Sequence, residues 1–356
     1  MAEDGIGAFA DSVFGDLLGA MNTYAAAIGT HLGWYDSLAA NGPATSAELA
    51  TATDTDERYA REWLEQQTVA GYLEVLDAAA GPLERRFRLP EAHAAVLVDR
   101  DSLAFLAPFA TSVCTFGSNL ESLLEAYRTG GGFGWHQHGD GARCGQGFGN
   151  RPMFLHQLAQ DYLSKIDGAA EVLATGGRIA DVGCGLGWSS IGLALASPNV
   201  EVDGFDIDGP SIEMARANAE EAGVADRVRF QTVDVGSLDP GSYDLVLALE
   251  CIHDMPDPVS VLGAMRAMAG EHGTVVVMDE RVGERFTGEP DPLEQLFYGF
   301  SLICCLPDGR DAEESVATGT VMRPSTLDRY ARDAGFAGAD VLDLEHDAFR
   351  FYRLVG

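Results

Sequence analysis

Apolar positions recur at helical spacing through roughly the first hundred residues. Ala8 to Ala27 is an Ala-rich stretch with Phe9, Val13, Leu17 and Met21 on one face, which predicts an amphipathic helix. Thr45 stands three residues before Glu48, ahead of Leu49 and Ala50, a spacing that predicts a capping box opening a second helix. A third helix is predicted over about Asp56 to Ala70, with Tyr59, Trp63 and Leu64 apolar and Gly71 ending it. Tyr72–Val75 and Phe87–Leu89 then read as two short strands around a Gly-Pro turn. Helix, turn, helix and hairpin in this order predict a winged-helix domain over residues 1–110.

The region 111–174 has a different texture. Gly130 to Gly149 is dense in glycine, which predicts a loop of unusual backbone geometry, and Pro152 to Ile166 reads as helical. From Gly177 onward short apolar runs alternate with amphipathic stretches. The predicted strands are Arg178–Val182, Glu201–Asp206, Val228–Thr232, Leu245–Leu249, Thr274–Met278, Asp340–Leu344 and Phe349–Leu354. Helical stretches separate the first five, so these run parallel with right-handed crossovers. Only Glu345 to Ala348 joins the last two, so they form a hairpin and the final strand is antiparallel. The fold class is therefore α/β. A Rossmann-like, doubly wound sheet of seven strands, its reversed last strand at one edge, is expected over 175–356 behind the mainly helical winged-helix domain.

Charge changes the reading of that first domain. Acidic residues number 55 against 23 basic ones, a formal net of −32, and Lys165 is the single lysine. Nucleic-acid binding depends on Lys and Arg neutralising phosphates. The third helix carries no basic face, so the winged helix is expected to serve as a dimerisation or lid domain rather than a nucleic-acid reader. Anionic membranes are poor candidates as partners on the same ground. The face of Phe9, Val13, Leu17 and Met21 is hard to bury within so small a domain, which predicts a homodimer. No apolar run approaches the ~18 to 20 residues that cross a bilayer, and the Met-Ala-Glu-Asp start lacks a basic signal region, so a cytoplasmic protein is expected. Six cysteines without Cys-x-x-Cys spacing read as reduced thiols.

The chemistry concentrates at strand ends. Asp181-Val182-Gly183-Cys184-Gly185-Leu186-Gly187 follows the first strand of the sheet and opens a helix at Trp188, where glycines let the backbone turn tightly and approach a ligand. Asp206 ends the second strand, placed to hold ribose hydroxyls. Asp234 follows the third, placed to accept from an adenine amino group, and Glu250 closes the fourth.

With these residues the chain resembles the class I S-adenosylmethionine-dependent methyltransferases. The resemblance covers roughly half the chain. It implies S-adenosylmethionine as cofactor, with Asp181, Gly183, Cys184, Gly185 and Gly187 at its methionine end. Asp206 falls at the ribose and Asp234 at the adenine, and Ile207, Val235 and Glu250 are further cofactor-binding residues. The antiparallel last strand and the G-x-G-x-G spacing set the chain apart from nicotinamide dehydrogenases. The layout of winged helix first and methyltransferase second resembles the small-molecule methyltransferases of actinobacterial and plant secondary metabolism.

Methyl transfer from a sulfonium is an in-line displacement, so the enzyme positions a nucleophile and removes its proton. His253 and Asp254, in Ile-His-Asp-Met-Pro-Asp, are similar to the His-Asp-Trp-x-Asp motif of winged-helix O-methyltransferases. That resemblance implies His253 as general base and Asp254 as substrate contact, with an ionisation near the histidine reference of about 6.5. Asp279 and Glu280 end the fifth strand at the same rim. Leu293, Leu296, Phe297, Phe300 and Cys304 share one predicted helical face, and Phe297, Phe300 and Cys304 are expected to line the pocket of a small-molecule acceptor. His136 and His138, with Cys144 nearby, have His-x-His spacing but no strong ligand cluster, so no metal is assigned. The expected activity is O-methylation of a small, largely apolar or aromatic acceptor. C- or N-methylation, with or without a metal, and a winged-helix regulator sensing S-adenosylmethionine are the alternatives.

Overall fold

A computed structural model of the chain describes residues 2–237 and 243–356. It divides into two compact units, Met1–Thr115 with Cys144–Pro152, and Phe116–Arg143 with Met153–Gly356. Among the described residues no helix is long and apolar enough to cross a membrane.

The first unit holds four leading helices, α1 (Ala2–His31), α2 (Trp34–Asn41), α3 (Ser46–Thr53) and α4 (Glu57–Val69), then the hairpin β1 (Glu74–Val75) and β2 (Phe87–Arg88). The capping box forms as predicted: the Thr45 hydroxyl accepts the Glu48 N–H, and the Glu48 carboxylate accepts the Thr45 N–H. The Asp56 carboxylate caps α4 by accepting the Arg58 and Tyr59 N–H groups. Ala44 bridges to Phe87 and so adds a third extended segment to the wing. Trp34, Tyr35, Leu38, Leu49, Leu64 and Phe87 form the core, with Trp63 tied to α1 through its indole N–H on the Ala25 carbonyl at 2.8 Å. Helix α2 is absent from the sequence prediction, being only two turns long. The predicted apolar face of α1 lies open in the chain by itself: Phe9 is 72% exposed and Met21 63%.

Of the glycine-dense segment, 130–134 is a loop as expected, but from Trp135 on it is mostly helical. Helices run over Trp135–His138 and Asp140–His156. Its glycines serve packing: a Cβ at Gly145 would lie 1.9 Å from the Ser112 hydroxyl, and one at Gly149 would lie 2.6 Å from the Phe109 ring. Four residues apart, they form a smooth stripe that lets the helix Ala107–Ser118 approach closely. The helical reading of 152–166 holds to His156, after which the backbone widens into a π turn at Leu158–Tyr162 and tightens again at Leu163–Lys165.

The second unit is built on β3 (Gly177–Val182), β4 (Val200–Asp206), β5 (Val228–Thr232), β6 (Leu245–Leu249), β7 (Thr274–Glu280), β8 (Gly338–Val341) and β9 (Phe349–Val355), in the order β5-β4-β3-β6-β7-β9-β8. β3 to β7 pair in parallel. The reversed strand β9 is not at the edge as the sequence suggested. It is inserted between β7 and β8, antiparallel to both, and β8 takes the edge. A short connection fixes that two strands pair but not which of them meets the rest of the sheet. The β6 and β7 strands are buried along their whole length, as expected for parallel strands covered by helices on both faces.

Candidate active site

The strand order reverses between β3 and β6, and open α/β sheets bind ligands beyond the carboxyl ends of the strands at such a point. The chain leaves β3 through Gly183 (φ 72°), Gly185 (φ 50°) and Gly187 (φ 77°), all left-handed. A Cβ at Gly183 would lie 2.7 Å from the Cys251 sulfur, and one at Gly187 would lie 2.4 Å from the Phe230 ring. At Gly185 it would meet nothing within 4 Å, so the crown of the loop is open. The Gly185 N–H donates to one oxygen of Asp206 at 2.8 Å and the Asp208 N–H to the other at 2.9 Å. Burial pushes the Asp206 carboxyl above the usual range despite these donors.

Asp181 is placed differently from the loop glycines. Its carboxylate is fully buried and accepts the hydroxyls of Ser189 and Ser190, both at 2.6 Å. It ties the loop to the helix Trp188–Ala196 that follows. Cys184 is buried, Ile207 exposed, and Val235 packs into the main core. Asp234, exposed beyond β5, accepts the Gly236 N–H at 2.9 Å. Glu250 adopts a left-handed φ of 59° directly after β6, with its N–H on the Met278 carbonyl at 2.7 Å. A non-glycine residue held there costs on the order of 1 kcal/mol or more, and such strain gathers at functional sites.

His253 lies on the short 3₁₀ turn Ile252–Asp254 and is 2% exposed. Asp279 Oδ1 stands 2.9 Å from its Nδ1 and Glu280 Oε2 3.0 Å, both carried by the end of β7. Asp254 Oδ1 stands 3.2 Å from Nε2. Burial alone would push the imidazole pKa down. The carboxylates of Asp254, Asp279 and Glu280 outweigh it and hold the ring well above its ordinary value. The ionisation near 6.5 expected from sequence is therefore corrected upward. Glu280 is also raised well above the carboxylate range, by burial and by Asp279 against the opposing pull of His253. His253, Asp279 and Glu280 bring ligand-capable atoms within 4.8 Å of one another, as do His253, Asp254 and Cys305, so either set has the donors for a divalent cation.

The helix Pro292–Phe300 carries Phe297, which is buried, and then passes into a π turn at Ser301–Cys305. The wider turn rotates the following residues, so the single apolar face predicted from i, i+3 and i+4 spacing is broken. Leu296 is exposed, while Cys304 clusters with Phe116 and Ala142, with Phe300 packed against them. The sequence reading missed several groups here. Asp308, in the turn Leu306–Gly309, accepts the Trp135 N–H at 2.6 Å, and burial with Asp254 nearby pushes its carboxyl up to about 7. Arg143 forms a bidentate pair with Asp208, Nε to Oδ2 at 2.6 Å and a terminal nitrogen to Oδ1 at 2.9 Å. The spacing Asp206-x-Asp208 hinted at the acid, but nothing marked an arginine 65 residues earlier as its partner.

Residues 173–299 match the methyltransferase domain family, and residues 20–99 match the Rv2258c-like winged HTH domain. Ubiquinone biosynthesis O-methyltransferase of Bordetella parapertussis is 39% identical over 199 residues, 54% of this chain and 75% of that protein. Its counterpart in Bordetella bronchiseptica is 32% identical over the same shares. The chain belongs to the S-adenosylmethionine-dependent methyltransferases. The methyltransferase also shares its whole fold with solved structures of low identity. Mitomycin 7-O-methyltransferase MmcR aligns over 99% of both chains with a TM-score of 0.75 at 21% identity. Human N-acetylserotonin methyltransferase, solved in complex with S-adenosylmethionine, aligns over 97% of both with 0.71 at 17%. The cosubstrate of the methyltransferase is S-adenosylmethionine, and the left-handed glycine loop, the Asp206 carboxylate pinned against it and the acidic rim suit a cationic nucleoside.

Proposed function

We propose that the methyltransferase methylates a hydroxyl oxygen of a small, largely apolar or aromatic molecule, with His253 as general base. The observation that carries this is the clamp on His253: two carboxylates at the end of β7 bracket Nδ1, which fixes a proton there and leaves Nε2 for the acceptor. Bound S-adenosylmethionine supplies an electrophilic methyl group on its sulfonium sulfur. Gly183, Cys184, Gly185 and Gly187 would form the wall at its methionine end, with Asp181 bracing that wall from behind. Asp206 would accept from the ribose hydroxyls, Asp234 from the adenine amine, Ile207 and Val235 would flank the base, and Glu250 would close the rim. The acceptor hydroxyl would pass its proton to Nε2 as the oxygen–carbon bond forms and the sulfur–carbon bond breaks, its electron pair staying on sulfur to leave S-adenosylhomocysteine, and Asp254 would rotate from Nε2 to hold the acceptor. Phe297, Phe300 and Cys304 line the acceptor side.

His253→Ala should leave S-adenosylmethionine binding intact and lower the rate by roughly 10²- to 10⁴-fold, the usual contribution of positioned proton transfer. Equal turnover of wild type and variant would defeat the assignment. Product analysis by mass spectrometry and NMR separates O- from C- or N-methylation. The two donor sets around His253 favour a metal-assisted variant as the second reading, and metal content of the purified protein tests it.

We assign residues 1–110 to a dimerisation or lid domain, 111–174 to a connecting region and 175–356 to catalysis. The open apolar face of α1 supports a homodimer, which we place in the cytoplasm. A regulator that binds DNA would need phosphate affinity at odds with a net charge of −32, and a gel shift at low salt distinguishes the two.

A further inference from the structure

The His-x-His pair has no part in the reaction proposed above, and its two rings separate. His136 is exposed, 3.8 Å from the Asp311 carboxylate, whereas His138 is 5% exposed. The His138 ring meets Phe116 and Phe133 edge to face, with centroids at 4.9 and 4.7 Å, and Trp135 stands at 6.4 Å. The Asn119 side-chain nitrogen lies 3.2 Å from its Nδ1. Nε2 is buried without a protein partner among the described residues. Burial holds the pKa down at about 4, so the ring is neutral near pH 7. A neutral imidazole that accepts an amide N–H at Nδ1 carries its proton on Nε2. That makes Nε2–H a buried donor with no acceptor among the described residues, which calls for an explanation.

The box adjoins the acceptor side of the site. Phe116 also meets Phe300 edge to face at 6.4 Å and clusters with Ala142 and Cys304, with Cys305 packed against them. Cys305 in turn lies within 4.8 Å of ligand-capable atoms of His253 and Asp254. The segment is pinned to the turn Leu306–Gly309: the Phe133 N–H donates to the Pro307 carbonyl at 2.9 Å and the Trp135 N–H to Asp308. A Cβ at Gly132 would lie 2.2 Å from the Asp311 nitrogen, so this backbone has no slack.

The geometry points to His138 as a specificity-determining residue, whose Nε2–H donates to a second, uncharged oxygen of the acceptor, so that the preferred acceptor is an aromatic hydroxy compound bearing a carbonyl. Aromatic walls favour a flat ring, and a neutral imidazole in an apolar box offers no charge to pair with a carboxylate. The inference rests on the acceptor site proposed above.

Two probes of one skeleton test it, a hydroxytetralone and the matching tetrahydronaphthol, which differ only by the ring carbonyl. Calorimetry is done on the full chain saturated with S-adenosylhomocysteine. The wild type should bind the ketone about 10-fold or more tighter. His138→Phe should bring the ratio to about 1, and His138→Gln, which keeps an N–H donor, should restore part of it. His138→Met replaces the Phe variant if that one fails to melt cooperatively. A wild type that binds both probes equally, or neither, overturns the proposal, as does a ratio unchanged in the apolar variants. C- or N-methylated products would defeat the oxygen reading while leaving this ratio intact.

Discussion

The clamp on His253 can be dissected by charge. At an effective dielectric of about 20, a charge pair about 4 Å apart is worth about 4 kcal/mol, or about 3 pK units. Burying an imidazolium costs roughly 3–5 units in the other direction. The acids around His253 outweigh the burial, in agreement with a ring held well above its ordinary value. Asp279 is the cleanest to remove, since its Oδ1 stands 2.9 Å from Nδ1 and it is fully buried. Asp279→Asn should lower the apparent pKa, because it removes one of the charges that hold the imidazolium. Because the base must be neutral, activity rises with pH through that pKa, so the wild-type profile should rise well above pH 6.5 and the variant profile at lower pH. The plateau rate should also fall, by roughly 10- to 10³-fold, since the ring loses the group that fixes its tautomer. The inflection belongs to the coupled cluster of His253, Asp254, Asp279 and Glu280 rather than to one residue. S-adenosylhomocysteine formation followed from about pH 5.5 to 10 reads the profile, and histidine NMR of the cofactor complex reads the ring directly. A wild-type inflection at or below about 6.5, unmoved by Asp279→Asn, would refute the reasoning.

Asp206→Ala should weaken S-adenosylmethionine binding by about 1.5–3 kcal/mol, measured by calorimetry, and undiminished affinity would remove Asp206 from the site. Arg143→Met leaves Asp208 buried without its bidentate partner, and should lower unfolding stability by about 3–5 kcal/mol in denaturant titrations. Asp208→Asn should cost less, because the amide still caps the Ser211 N–H. For assembly, the wild type should scatter light as a dimer, and Phe9→Ser with Leu17→Ser should give a monomer; a wild type that stays monomeric at all concentrations contradicts the homodimer.

What the sequence made legible follows from periodicity and from spacing. The five parallel strands lie within two residues of their predicted limits because each is a short apolar run between helical stretches. The capping box at Thr45 and the left-handed glycines after β3 are local codes that need no tertiary knowledge. The failures share a cause, which is that the deciding partner lies far away in sequence. Gly145 and Gly149 read as loop formers until Ser112 and Phe109 are set against them. The place of β9 depends on β7, not on the hairpin that delivers it. The π turn at Ser301–Cys305 leaves no mark in apolar spacing, yet it decides that Cys304 joins Phe116. Asp279 and Glu280 were visible as rim acids, but neighbours in a strand are expected to point apart, so their convergence on one imidazole nitrogen could not be read from the chain.

That convergence bears on which acceptor the base suits. A phenolic hydroxyl has a pKa near 10, and each unit by which the imidazole approaches it lowers the cost of proton transfer by about 1.4 kcal/mol. An isolated histidine would be too weak a base for such a group, although almost all of it would be neutral in mildly alkaline solution. The acids around His253 make the ring a stronger base and leave less of it neutral at a given pH. The exchange is favourable only if the acceptor proton is hard to remove. An amine already carries a lone pair, and a carbon acid of low pKa needs no such help, so the carboxylates around His253 would be a burden for either. The acidic surroundings of the base therefore argue for a weakly acidic hydroxyl as the group that is methylated.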